Sequence, residues 1–212
     1  MRNTPPVADH EMEFTGGALS LDFANTVGGT HVAPTHDHLQ GYGDLVEFAV
    51  RSGSLTAEEG RRLDARAARE PNRAEAVFAL GLALREAVWS VFSALASGET
   101  ARERDLSLIS DAAAAGLARS RVFVDRGGAT WSVPPEADDL DRPLWAIGRS
   151  AVDVLTSSEW DRIKECASDT CEWVFLDRSK NRSRRWCDMS DCGNVAKVRR
   201  YRARSRTPVR SS

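Results

Sequence analysis

Cys166-Ala-Ser-Asp-Thr-Cys171 and Cys187-Asp-Met-Ser-Asp-Cys192 contain every cysteine of the chain. Two C-x4-C pairs are separated by fifteen residues, so all four thiols fall within 27 positions. Each pair offers two thiolates from one turn, and the intervening segment is long enough to fold back and bring the pairs together around a tetrahedral ion. The alternative, two disulfides, belongs to exported proteins. The start of the chain lacks the basic and apolar regions of a signal peptide. One structural zinc held by Cys166, Cys171, Cys187 and Cys192 is therefore expected. Four sulfur ligands close the coordination sphere, which argues against a hydrolytic role for the metal.

Charge follows the same division. The chain carries 29 basic and 31 acidic residues, a net −2. From Arg178 onward there are twelve Lys or Arg against only Asp188 and Asp191, so residues 1–177 hold 17 basic and 29 acidic groups. Such asymmetry points to nucleic acid or an acidic partner for the C-terminal part. After Cys192, Gly193 and Asn194 give a turn, and 195–206 is helix-compatible. Val195, Val198 and Tyr201 form a narrow apolar edge expected to dock this helix on the zinc core. Lys197, Arg200 and Arg204 line one strip, and Arg199, Arg202 and Arg206 the next. Cations crowded in this way repel one another unless a polyanion neutralises them. Arg184 and Arg185 approach the second cysteine pair, and at least one is expected to touch phosphate or a base edge.

Between the pairs, residues 172–177 alternate as a strand, with Trp173 and Phe175 on one face and Val174 and Leu176 on the other. The aromatics are expected to pack beside the metal, because a small module needs every apolar side chain it has. Asp177-Arg-Ser-Lys-Asn181 makes a turn.

Upstream the texture is helical. Leu19, Leu21 and Phe23 suit a short strand or a tight entry to a helix. Helical spacing runs from Tyr42 to Val50 and stops at Gly53, and Thr56 with Glu59 forms a capping box. The longest periodic segment, about 73–96, has Val77, Leu80, Leu84, Val88, Val91, Phe92 and Leu95 as its apolar face. Another helix is expected over 101–118. Val122 and Val124, a turn at Gly127-Gly128, then Trp131 and Val133 read as a hairpin. Asp141-Arg-Pro143 opens a last helix with Leu144, Ile147, Val152 and Leu155 buried. Asp22, Asn25 and Thr26 form a candidate ligand pocket, or else satisfy backbone groups at a turn, the reading preferred on local grounds. His36 and His38 could hold a second metal, but no carboxylate or cysteine companion is evident apart from Asp37.

These elements predict an α+β protein. Residues 1–12 read as a disordered leader and 13–157 as a mainly helical N-terminal domain with a small β element. A treble-clef-like zinc module follows over 160–206, with a frayed tail over 207–212. The two ordered parts are expected to have separate cores. No phosphate loop, nucleophile elbow or paired-carboxylate motif marks an enzyme. No apolar run suggests a membrane span, and a cytoplasmic location is expected. The function expected is DNA binding. RNA binding, or an adaptor that grips an acidic protein, are the alternatives. The N-terminal domain would sense an effector or form a homodimer.

The sequence also resembles proteins that join an alanine-rich N-terminal "ABATE" domain to a C-terminal CGNR-type zinc finger. The finger resemblance runs through Cys166, Cys171, Trp173, Phe175, Asp177, Arg184-Arg-Trp-Cys187, Met189, Cys192-Gly-Asn194, Lys197 and Tyr201-Arg-Ala-Arg204. The N-terminal resemblance rests on Gly16-Gly17, Leu19, Leu21-Asp-Phe23 and Asn25-Thr26. It implies a regulator of transcription in a stress response. One departure stands out: Val195 occupies the place of the arginine that gives the finger its name. Zinc binding is untouched by that change, whereas any contact made by the arginine cannot be carried over.

Overall fold

Helix α4, Pro71–Ala96, is the axis around which the chain is wound. The structure is a computed structural model that describes residues 12–205, with the side chains of 200 and 203–205 left aside. The expected leader (apart from Met12) and the expected tail lie outside the described residues. In chain order come α1 (Leu19–Ala24), β1 (Val27–Gly29), β2 (Pro34–Asp37), α2 (Tyr42–Arg51) and α3 (Ala57–Arg69). After α4 follow α5 (Glu103–Arg119), the hairpin β3 (Arg121–Asp125) and β4 (Gly128–Ser132), and α6 (Arg142–Thr156). A 3-10 turn at Trp160–Arg162 leads to β5 (Ile163–Glu165), β6 (Val174–Leu176) and α7 (Cys192–Ser205). The strands form three antiparallel pairs, β1–β2, β3–β4 and β5–β6. The fold is thus mainly helical, with a small zinc module at its C-terminal end.

Local sequence signals set the helix ends. Asp44 accepts hydrogen bonds from the amides of Gln40 and Gly41 at 2.6 and 2.9 Å and so caps α2. That helix ends where Gly53 takes the left-handed conformation (φ +76°). Thr56 and Glu59 form the expected reciprocal box, at 3.2 and 2.7 Å. Pro71 opens α4 at its first turn, where a missing N–H costs nothing. The alternation at Leu19–Phe23 resolves as helix α1, with Leu21 and Phe23 fully buried.

The stripe of α4 packs as expected at Val77, Leu84, Val88, Val91 and Phe92, all buried. Each fully buried side chain of this size contributes roughly 1.5–3 kcal/mol. Leu80 departs from expectation and is 43% exposed. Gly81 takes the central position instead, where an added Cβ would lie 3.3 Å from Leu45 and Leu144. Although α4 is long and apolar enough to cross a membrane, it carries a buried charge. Arg85 forks onto Asp37 at 2.6 and 2.8 Å and ties α4 to β2. On α6, Leu144 and Ile147 are buried as expected, but Ala151 and Val154 complete the face while Val152 and Leu155 are half-buried. Helices α5 and α6 approach closely through two glycines. A Cβ on Gly116 would meet Trp145 Cβ at 2.7 Å, and one on Gly148 would meet the Ala113 backbone nitrogen at 2.7 Å.

The expectation of separate cores is corrected here. Ile163, Val174 and Leu176 of the zinc module are buried in the same apolar cluster as Leu21, Val88 and Phe92. The cysteines and Phe175 form a second, smaller cluster on the opposite face of β6. The alternation in 173–176 therefore has a literal meaning: one face of β6 closes the large core and the other closes the metal site.

Candidate metal centre and basic helix

The four cysteines are held by short segments whose amides are already spent. The Cys166 amide donates to the Trp173 carbonyl at 2.9 Å, pinning the start of the first knuckle to its end. The Cys171 amide closes the knuckle onto Ser168 at 3.1 Å. The Cys187 amide points at Cys166 Sγ (3.5 Å), and Cys192 is the first residue of α7. Asp177 organises the loop that carries Cys187. Fully buried, it accepts from Lys164 Nζ at 2.6 Å and from the amides of Ser179 and Arg184 at 2.9 and 3.0 Å. Burial alone would raise its carboxyl, but these donors outweigh burial and hold it well below the usual carboxylate range.

The sulfur atoms all lie within 4.8 Å of one another, and all four side chains are buried. The Sγ atoms of Cys171 and Cys187 are 3.7 Å apart. A disulfide would need about 2.05 Å. A regular tetrahedron with Zn–S bonds of about 2.3 Å has edges of about 3.8 Å. The donor set and its spacing fit one structural zinc. Among the described residues this is the one such group of potential ligands. The rings of His36 and His38 meet edge-on at 4.9 Å, and among the described residues the pair belongs to no group of three potential metal ligands. Phe175 is fully buried against the cysteines, and Trp173 and Trp186 flank them. The aromatics thus pack at the metal site, as expected.

Arg184 serves the fold. Its guanidinium lies 4.2 Å over the Phe175 ring and donates to the carbonyls of Thr15 at 2.9 Å, Trp186 at 3.0 Å and Cys187. It is a strut between the N-terminal segment and the metal loop, so Arg185, exposed beside Trp186, is the one of the pair left facing solvent. On α7, Lys197, Arg199 and Arg202 are exposed, with Arg199 3.8 Å from Asp169. Arg200 and Arg204 belong to α7, but their side chains are outside the described residues, as is Arg206 altogether. The apolar edge does not dock as expected. Val195, Val198 and Tyr201 are 39, 41 and 74% exposed. Cys192 and Gly193 anchor the helix instead, and both are buried.

The candidate pocket residues are spent internally. Asn25 receives the Val174 amide on Oδ1 at 3.0 Å and donates from Nδ2 to the Val174 carbonyl at 2.9 Å. Thr26 donates to the Phe23 carbonyl at 2.8 Å. Asp22 accepts from the Gly16 amide at 2.7 Å. The preferred sequence alternative, backbone satisfaction, is what these atoms do. For Asn25 the backbone groups satisfied are not those of its own turn. Its true partner lies 149 residues away, a distance that no local pattern reports.

Burial pushes the Asp22 carboxyl up to about 6, against the Gly16 amide and the Arg184 charge, which pull it down. The unfolded chain ionises this group near pH 4, so folding loses stability as pH rises from about 4 to 6, and the penalty is constant above that. Asp22→Asn keeps an acceptor for Gly16 and is expected to gain up to about 3 kcal/mol at pH 7 and almost nothing at pH 4. Thermal melts of both proteins across this range check it. An equal gain at both ends would assign the effect to packing instead.

Residues 17–158 match the family "ABATE: Putative stress-induced transcription regulator", and residues 162–205 match the CGNR zinc finger. No curated protein matches the chain. The two matches meet in the short segment that joins α6 to β5, and the finger match contains all four cysteines. The chain belongs to the ABATE family and carries a CGNR zinc finger at its C-terminal end.

Proposed function

We propose that the protein regulates transcription by binding duplex DNA through α7, with zinc fixing that helix on the body of the protein. The observation that carries this reading is the outward face of α7. Val195, Val198 and Tyr201 form an exposed apolar strip, with Lys197 on one side and Arg199 and Arg202 on the other. The B-DNA major groove is about 12 Å wide and admits a helix. Cations on both flanks would reach phosphates, while an apolar centre suits thymine methyl groups. The deep, narrow major groove of A-form RNA does not admit such a helix, so the face favours DNA. For effector sensing, the N-terminal domain offers one wall of a cleft of about 380 Å³ against the metal module, which Cys171, Cys187 and Cys192 also line, so that part of this space belongs to the metal site. Gly29, His36 and His38 line one side, and Trp173 and Val195 the other. A ligand there would contact the base of the DNA-reading helix.

Duplex affinity is expected to fall with salt at a log–log slope of about −4 to −6. Replacing Lys197, Arg199 and Arg202 together by alanine should flatten the slope by up to about three and weaken binding on all sequences alike. Val195→Arg should tighten binding, because Val195 stands at the rim of the cleft, 39% exposed, from which a longer cationic side chain can reach out beside Arg199. Fluorescence anisotropy with duplex DNA, single-stranded RNA and polyglutamate over a salt series makes the measurement. If the triple variant keeps both affinity and slope with its zinc intact, α7 is not the surface. Binding of polyglutamate in place of nucleic acid is not open to a cationic face by sequence-specific means, and salt-sensitive capture of it alone would favour the adaptor reading.

A further inference from the structure

The hairpin β3–β4 is unlike every other element of the fold. All ten of its strand residues are exposed, among them Val122 (58%), Phe123 (39%), Val124 (77%) and Trp131 (58%). A lone two-stranded hairpin is marginal in water, and an apolar one with free edges is a template for another strand. Its register identifies which backbone groups are free. Asp125 pairs with Gly128 across a two-residue turn, so that pair exchanges hydrogen bonds. Alternation then puts Phe123–Thr130 and Arg121–Ser132 in the bonded positions. The N–H and C=O groups of Val122 and Val124 point away from β4, along the open edge.

We infer that β3 is the dimerisation edge of this protein and that its occupant is β3 of a second copy, antiparallel about a twofold axis at Phe123. Pairing must oppose outward-facing residues, which allows axes at Val122, Phe123 or Val124. Only the axis at Phe123 overlaps all five residues of the strand. It sets Val122 against the partner's Val124, twice over, for four main-chain hydrogen bonds. It also sets Arg121 against the partner's Asp125 at both ends. The sequence Arg-Val-Phe-Val-Asp is thus complementary to itself in charge and in backbone phase, as an isologous contact requires. The two hairpins become one four-stranded sheet, which has the strand number that an isolated hairpin lacks. The stripe of α4 is not available for this purpose, since it is consumed in the core. The inference does not depend on the DNA reading of α7, and either can fail alone.

The test uses the full, zinc-loaded chain. Sedimentation at high micromolar concentration should show a dimer. Under mild oxidation, Phe123→Cys should give a disulfide-linked dimer, since the two sulfurs face each other across the axis. Val124→Cys, which faces the partner's Val122, should not. Asp125→Arg sets like charges at both ends and should shift the species to monomer, and adding Arg121→Asp should restore the dimer. Restoration also separates lost pairing from a damaged turn. A chain that stays monomeric with no Phe123→Cys crosslink overturns the proposal. So does a dimer that survives Asp125→Arg and forms no such crosslink.

Discussion

Cys187→Ser is expected to cost the protein its zinc and much of its global stability with it. Structural zinc in small modules contributes on the order of 10–16 kcal/mol of apparent binding energy at neutral pH. Losing a ligand frees the loop after Asp177 and uncovers Phe175, which the metal cluster now buries completely. The damage spreads because β6 has two faces. Ile163, Val174 and Leu176 together contribute roughly 5–9 kcal/mol to the large core by burial. That is comparable with the whole stability of an ordinary domain, about 5–15 kcal/mol. Two separate cores would leave the N-terminal melt unchanged, whereas the shared core predicts that the melt of the helical part falls too. Metal analysis and calorimetry of the variant, beside wild type treated with a chelator, measure both effects. A variant without zinc whose helical part melts at the wild-type temperature would refute the coupling.

Asn25→Ala is expected to cost about 2–6 kcal/mol without removing a single metal ligand. The side chain is 2% exposed and forms both hydrogen bonds to Val174, one as donor and one as acceptor. Alanine leaves a buried N–H and a buried C=O without partners, and each orphan costs about 1–3 kcal/mol. Around this clamp, Trp173 Nε1 donates to the Val27 carbonyl at 2.7 Å and Trp89 Nε1 to the Glu172 carbonyl at 3.0 Å. The three contacts fasten β6 and the two residues before it to the end of α1, to β1 and to α4. Loss of the Asn25 clamp should loosen β6 while zinc stays bound, so amide exchange at Val174 should rise in a protein of normal metal content. Asn25→Asp restores the acceptor but not the donor, and should recover only part of the loss. A stability change under 1 kcal/mol, with Val174 still protected, would mean that the neighbouring contacts suffice.

Much was legible in the chain itself, and for one physical reason: the signals were local. Zinc ligation was readable because two thiolates per turn need nothing beyond a C-x4-C spacing. The capping box at Thr56 was readable because donor and acceptor lie three residues apart. The two faces of 173–176 followed from strand alternation, and the family could be recognised from the same residues. Tertiary structure decided the rest, because the partners there are remote in sequence. Position before the second cysteine pair marked at least one of Arg184 and Arg185 for phosphate or a base edge, yet Arg184 gives Nε and Nη2 to Thr15, Trp186 and Cys187 and its face to Phe175. Val195, Val198 and Tyr201 had the spacing of a docking edge. Nothing local could reveal that Cys192 and Gly193 already fix the helix, leaving that edge to solvent. The basic and apolar residues of α7 were in the sequence from the start. Which of them face outward was decided by the attachment of one cysteine to the metal cluster.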